Sequence, residues 1–471
     1  MAAWACISDK SLKRLEKVQS RCLCGILGAK LHTSTDAVEV VANVTPVRLR
    51  IQELCTMEYV RLMQKPEDSV LGQLLRSSSV TNNKFTPMSY LKYLATSFHR
   101  ITDNAEIAPE HKTRPQMIDL FEGGNVSQLN ITSEAGTDCV DIANAVTHFI
   151  SETHSSTVIC FTDGATTDSE VGAGCAAAIV IPPGPDSKEI QATELLDKIT
   201  DSIETELTGI AIALEIVIGL FTSGTVVAWT NTVILTHCKA ALNIILESHV
   251  YGNYQQIIAR IIPSLLKFHN MKCHISLGWI PSHAGIDYNE QADTLAKKAL
   301  KDSPISAKGQ LSLPACKKMV AKNTKRLWQQ RWDHSTTGRV TYDLIRTVGR
   351  STVFPSDRCC AISYCRLLLD DSTLNVHQFR AGLAQSKLCD CAQGVDDLQH
   401  FFFECKNYKT IRHDMIEWVQ SILTLVDQHK RPNLSTSLLL APSGYRQISS
   451  RVSGEILGCT FEFIGKSKRC L

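Results

Sequence analysis

The sequence predicts an α/β domain near the middle of the chain, with a mixed sheet flanked by helices. Three observations carry this: short β runs broken by turn signals between residues 158 and 192, a long amphipathic helix after them, and alternating strand and helix patterns up to about residue 300. Residues 158–161 form an apolar β run ending at Thr162-Asp163-Gly164. A second run, 172–181, is stopped by Pro182-Pro183-Gly184, and a third strand includes 189–192. Ile203, Leu207, Ile210, Leu214 and Val217 recur at helical spacing. A buried strand at 232–236 follows, then helices near 240–247 and 254–268, a strand at 274–279 and a helix at 290–300. The order β-β-β-α-β-α-β-α describes a five-stranded sheet with helical cover.

At 471 residues the chain has room for two to four domains. The first residues lack a basic stretch followed by an apolar core, so no signal peptide is expected. The longest apolar run, 210–221, is broken by Glu215 and falls short of the ~20 residues a membrane span needs. The expectation is an intracellular protein of cytoplasm or nucleus, without a membrane partner. Its 18 cysteines are scattered, which suits reduced, buried thiols outside one C-terminal cluster. Net charge is +2, yet residues 152–301 hold 9 Lys/Arg and 16 Asp/Glu. An acidic middle with basic flanks fits a metal-binding core beside polyanion-holding neighbours; drift in surface charge reads equally well.

Leu12, Leu15, Val18, Cys22, Leu23 and Ile26 mark a helix that Gly28 stops, and 46–63 reads as more helix. The expected organisation is a helical region at 1–75, a polar linker at 76–150 and the α/β domain at 151–301. A basic linker helix at 302–345, a helical cysteine-bearing region at 346–425 and a tail at 426–471 follow.

Phosphodiester hydrolysis with two Mg²⁺ ions needs carboxylates from several elements converging on one point. Asp163 at a strand end, Glu206 in the first turn of the amphipathic helix and Asp293 in the first turn of the last helix are candidates. The blocks Val158-Ile-Cys-Phe-Thr-Asp-Gly164, Gly172-Ala-Gly-Cys-Ala-Ala177, Glu206-Leu-Thr-Gly-Ile-Ala211 and Trp279-Ile-Pro-Ser-His-Ala-Gly-Ile-Asp-Tyr-Asn-Glu-Gln-Ala-Asp293 resemble the ribonuclease H family in order and spacing. The resemblance covers about 145 residues. It implies a ribonuclease H-like fold, Mg²⁺ held by Asp163, Glu206 and Asp293, RNA–DNA hybrid as substrate, and His283 as a proton shuttle on a mobile loop.

One position departs from the pattern. The family's fourth carboxylate follows the central strand, where this chain has Thr236-His237-Cys238-Lys239-Ala240-Ala241-Leu242. His237 replaces an anionic oxygen donor with an imidazole, a poor Mg²⁺ ligand that Mn²⁺ or Zn²⁺ accepts. Impaired cleavage is therefore expected.

The flanks resemble jockey-like non-LTR retrotransposon polyproteins. Trp4, the run Lys10-Ser-Leu-Lys-Arg-Leu-Glu-Lys-Val-Gln-Ser-Arg21, Ile26-Leu-Gly28 and Thr45-Pro46 look like the end of a reverse transcriptase. Lys317, Lys318, Lys322, Lys325, Arg326, Arg331 and Arg339 accompany Trp328 and Trp332. They suit a nucleic-acid backbone with base stacking, or equally a basic helix with its tryptophans packed on a core. Cys389, Cys391, His400 and Cys405 give a C-x-C-x₈-H-x₄-C spacing, a structural Zn²⁺ set or a group of buried reduced thiols. The leading expectation is a retroelement-derived ribonuclease H, with a reverse transcriptase chain as partner. The rivals are a catalytically inactive nucleic-acid-binding remnant and a structural subunit of a reverse-transcribing complex.

Overall fold

The computed structural model describes residues 7–64, 126–129, 139–153, 156–167, 171–184, 187–224, 231–246, 254–302 and 310–469. The chain divides into two compact units, one of residues 55–321 and one assembled from 1–54 and 322–471.

Among the described residues, the first unit is built on a seven-stranded sheet. Its strands are β1 (Val126–Leu129), β2 (Thr157–Thr166), β3 (Val171–Ile181), β4 (Ile190–Asp201), β5 (Asn231–Thr236), β6 (His274–Trp279) and β7 (Gln310–Leu311), in the order β1-β6-β5-β2-β3-β4-β7. The five expected strands form its centre. β2 and β5 run parallel, as do β5 and β6, while β2-β3-β4 form an antiparallel meander.

Two short parallel edge strands extend the sheet. β1 pairs with β6 and β7 with β4. The stretch expected to be a linker at 76–150 thus supplies a strand and a helix, Cys139–Thr153, whose Ile142 and Val146 are buried with Ile159, Phe161 and Ile280. Polar residues around these short apolar segments masked their periodicity; the remainder of that stretch lies outside the described residues, as does Trp4.

Side-chain alternation in β2 gives each face its own cover. Val158 and Cys160 meet the helices Ser202–Thr222 and Gln255–Asn270 on one side. Ile159 and Phe161 meet Ala292, of the helix Asp287–Asp302, on the other. Ser202–Thr222 is the only described helix long and apolar enough to cross a membrane, and 61% of its most apolar window is buried in the fold.

The second unit is helical. Asp9–Leu27 starts at Ser8, whose hydroxyl accepts from the Ser11 N–H, and ends at Gly28 in the left-handed region (φ 67°), as the sequence pattern expects. Leu23, Leu27, Val38 and Val41 share one core with Trp332, Leu368, Phe402 and Leu439. Arg331 pairs with Asp36 and Glu39, and Arg366 donates to the Gly28 carbonyl. The expected separate C-terminal tail contains the core helix Ser450–Ser467, with Ile456 and Phe463 buried. Trp328 and Trp332 belong to this core, which settles the tryptophans as packing residues.

Trp332 is fully buried, and its indole N–H donates to the Ile345 carbonyl at 2.8 Å. Trp332→Ala should cost this unit about 3–5 kcal/mol. Urea titration followed by amide exchange should show protection lost at Leu23 and Leu439 and retained in β2.

Candidate metal site and a second Cys/His cluster

The parallel pairing of β2 with β5 ends at Thr162 opposite Thr236. The next residue on each strand, Asp163 and His237, therefore emerges at the carboxyl edge of the sheet, where ligand sites form in α/β folds. Asp163 remains inside β2, because β3 still pairs with it through Ala177. Glu206 comes from the helix Ser202–Thr222, which begins at Asp201 and so places Glu206 in the second turn rather than the first. Asp293 likewise sits in a second turn, since its helix starts at Asp287.

Close backbone approach brings Glu206 to Asp163. A Cβ on Gly164 would stand 2.7 Å from the Glu206 backbone nitrogen, and one on Gly209 would stand 3.0 Å from the Ala177 carbonyl. Both glycines lie inside the recognisable blocks, but their role in letting helix and strand meet was not legible as spacing.

The ligand atoms of Asp163, Glu206 and His237 lie within 4.8 Å of one another. His237 Nδ1 is 3.5 Å from Asp163 Oδ2, and its Nε2 is 3.4 Å from Glu206 Oε1. The Gly164 N–H donates to Asp163 at 2.6 Å, and the Thr236 hydroxyl to Glu206 at 3.4 Å. The Trp279 indole N–H holds the His237 carbonyl at 3.0 Å, with the Lys239 ammonium 3.8 Å above its ring. Sequence reasoning missed Trp279 in this role.

Asp293 is not one of the group within 4.8 Å; Lys297, one turn on, pairs with it at 2.7 Å. His283 is exposed on the loop after β6 at φ +53°, a left-handed conformation that histidine adopts more readily than most residues. It stands 3.8 Å from Glu290. A cleft of about 720 Å³ opens beside Glu206 and His237, and Lys239, Lys297 and Lys301 line it.

Burial dominates the electrostatics. It raises the Asp163 carboxyl to about 7, with Gly164 opposing and the Asp293 charge adding. Burial also raises Glu206 well above the carboxylate range, and Asp163 adds to that. His237 is lowered, again by burial first, against Asp293. Two buried carboxyls beside a neutral imidazole favour a cation or a proton between them.

Of the seven basic candidates at 317–339, several are engaged internally. Lys318 pairs with Asp201 at 3.2 Å, Arg331 with Asp36, and Arg339 stacks over Tyr342 at 3.7 Å. Lys317 is half-buried, its ammonium lowered by burial, whereas Lys322, Lys325 and Arg326 are exposed.

A second cluster joins Cys389, Cys391, His400 and Cys405, all buried, with one ligand atom from each within 4.8 Å. Cys391 Sγ is 3.2 Å from His400 Nε2, and Cys389 Sγ is 3.8 Å from Cys405 Sγ. The turn carrying the first two cysteines passes through Ala392 at φ +60° and closes on the Gly394 carbonyl, which accepts from the Cys389 N–H at 2.9 Å. Burial opposes ionisation of Cys391, yet the Gln393 N–H and His400 bring its thiol down to about 7. Asp396 in this loop is clamped by Arg469. No disulfide joins the cysteines whose side chains are described.

Residues 155–301 match the RNase H family, described as RNase H. The chain is similar to the Retrovirus-related Pol polyprotein from type-1 retrotransposable element R1 2 of Nasonia vitripennis, 32% identical over 99 residues, or 20% of this chain and 23% of that protein. It is similar also to the corresponding R1 polyprotein of Bradysia coprophila, 26% identical over 113 residues, or 23% and 11%. The matched stretches thus span about a quarter or less of these relatives. Among solved structures, RNase H1 of Halobacterium salinarum is 15% identical, with TM-score 0.25, covering 31% of this chain and all of its own. The middle of the chain is an RNase H domain of the kind found in non-LTR retrotransposon polyproteins.

A pH dependence follows for protein stripped of metal. Both carboxyls lie above their unfolded values near 4, so the folded site binds more protons than the unfolded chain; stability falls as pH rises through about 7 for Asp163, and Glu206 acts in the same sense. His237 acts in the opposite sense, but only below its unfolded value of about 6.5. Between pH ~6.5 and ~8 the carboxyls alone set this site's slope. Asp163→Asn should show a smaller drop in melting temperature across that interval than wild type; an identical drop in both would contradict the assignment.

Proposed function

We propose that this chain is a retroelement-derived ribonuclease H, a divalent-metal-dependent hydrolase of the RNA strand in RNA–DNA hybrids, weakened toward Mg²⁺ by His237. The observation carrying this reading is the convergence of Asp163, Glu206 and His237 within 4.8 Å at the carboxyl edge of the sheet. When bound there, divalent ions supply an activated water and stabilise charge on the attacking and leaving oxygens. Asp163 and Glu206 would hold the ions through oxygen, and His237 through Nδ1, a buried atom without a hydrogen-bond partner. That mixed donor set suits Mn²⁺ or Zn²⁺ better than Mg²⁺. Asp293 would add a carboxylate from the facing helix, and His283 would carry a proton from its exposed loop. Lys239, Lys297 and Lys301 give the adjacent cleft the charge a phosphate backbone needs.

The same residue supports a second reading, a hybrid-binding protein without cleavage, because a neutral imidazole lacks the bridging oxygens of the carboxylate it replaces. A reverse transcriptase chain is the partner the polyprotein resemblance suggests. At the C-terminal cluster, three thiols and one imidazole form the donor set of a closed tetrahedral Zn²⁺ site.

Cleavage of a labelled hybrid should be very weak in Mg²⁺, stronger in Mn²⁺, and absent in Asp163→Asn. His237→Asp should raise the Mg²⁺ rate by roughly 10²–10³-fold, the equivalent of one restored transition-state contact of ~3–4 kcal/mol. Wild type cutting at full rate in Mg²⁺, with no gain from His237→Asp, would refute the proposed impairment. Binding without cleavage in any metal would favour the second reading.

Elemental analysis should find about one zinc per chain, lost in Cys391→Ala and His400→Ala. Protein purified without chelators and containing no zinc would leave the cluster as reduced thiols.

A further inference from the structure

Asp201 has no solvent exposure and sits at the junction of β4 with the helix that carries Glu206. One carboxylate oxygen caps that helix, accepting from the Glu204 N–H at 2.9 Å. The other accepts from the Tyr254 hydroxyl at 2.9 Å and pairs with the Lys318 ammonium at 3.2 Å. Burial and the adjacent Asp201 keep the Tyr254 phenol protonated and able to donate. Among the described residues, Lys318 is the ion-pair partner of this buried charge.

Lys318 lies beyond the matched family segment, which ends at residue 301. The pairing of Lys198 with Gln310 and Ile199 with Leu311 brings the chain back alongside β4, and the helix Leu313–His334 begins two residues later. Its second turn delivers the ammonium to Asp201. A buried carboxylate stripped of its cation is strongly destabilising, and here the strain falls on the first turn of a functional helix. Glu206 is four residues into that helix, pressed backbone to backbone against Gly164.

We infer that Lys318 is a positioning residue for the metal site: its contact with Asp201 fixes the first turn of the Glu206 helix, making residues 310–318 part of the nuclease unit. This rests on the reading of Glu206 as a metal-holding carboxylate. The role differs in kind from a phosphate contact, because an ammonium paired with a buried carboxylate acts through the helix and not through the nucleic acid.

The test uses the full chain and three variants: Lys318→Met, Lys318→Arg, and Lys318→Met combined with Asp201→Asn. Asparagine caps helices about as well as aspartate but carries no charge, so the double variant removes the uncompensated carboxylate and keeps the cap. Metal-free amide exchange should be about ten-fold faster at residues 202–207 in Lys318→Met, with β2 changed less than about two-fold. The arginine variant and the double variant should return to within about three-fold of wild type. Mn²⁺ titration should show the same order, with about ten-fold weaker binding in Lys318→Met alone.

Unchanged exchange at 202–207 in Lys318→Met would overturn the inference, as would a double variant no better than the single. If Lys318→Met loses protection everywhere, the double variant decides, and recovery of the fold supports the pair. Wild type that binds no Mn²⁺ would remove the metal reading of Glu206, while the exchange comparison would still judge Lys318.

Discussion

Two carboxylates forced together out of water are the constraint on which the sheet domain turns. Asp163 and Glu206 are each at most 4% exposed, and burial lowers the proton affinity of the histidine between them. Holding such groups within reach of one another requires rigid carriers. Parallel strands β2 and β5 end in register, so neighbouring residues leave the sheet at one point. The Glu206 helix presses close because glycines remove the atoms that would block it. Its N-terminus is capped by Asp201, and that cap is itself neutralised from a distant segment. Each device answers the cost of burying charge beside charge.

His237 changes the terms of that constraint. A carboxylate at the same place would add a third negative charge and increase the demand for dications. On the proposed reading an imidazole would lower that demand, so the site would persist with fewer or softer ions. Trp279 and Lys239 keep the His237 backbone in place. The scaffold thus holds a histidine beside two buried carboxyls, and a preserved fold does not by itself establish chemistry.

Much of this was legible in the sequence, and what was not has a physical reason. Strand and helix periodicity located the five central strands, and the motif blocks pointed to Asp163, Glu206 and Asp293. Helix starts were read late, because the polar residues of a first turn carry no apolar signal: Ser202 and Asp287 precede the periodic positions. The edge strands escaped because four and two residues cannot show a period. Lys318 reads as one of a row of surface cations until the fold places it beside Asp201, since periodicity reports which face is buried and not what a charge will meet. Similarly, nothing local links Leu23 and Leu27 to Leu439 and Phe463, although they share a core.

That last arrangement has a consequence for the order in which the molecule can be made. The helices Asp9–Leu27 and Thr35–Val41 pack on each other, but the rest of their shared core lies after residue 321, so about 270 residues must leave the ribosome in between. At roughly 5–20 residues per second this is a wait of about 15–50 s. During it Leu23, Leu27, Val38 and Val41 lack the rest of that core, while the intervening sheet domain can complete its own contacts. The nascent chain therefore carries an apolar strip without its full cover until the C-terminal helices emerge, while the sheet domain is already free to fold.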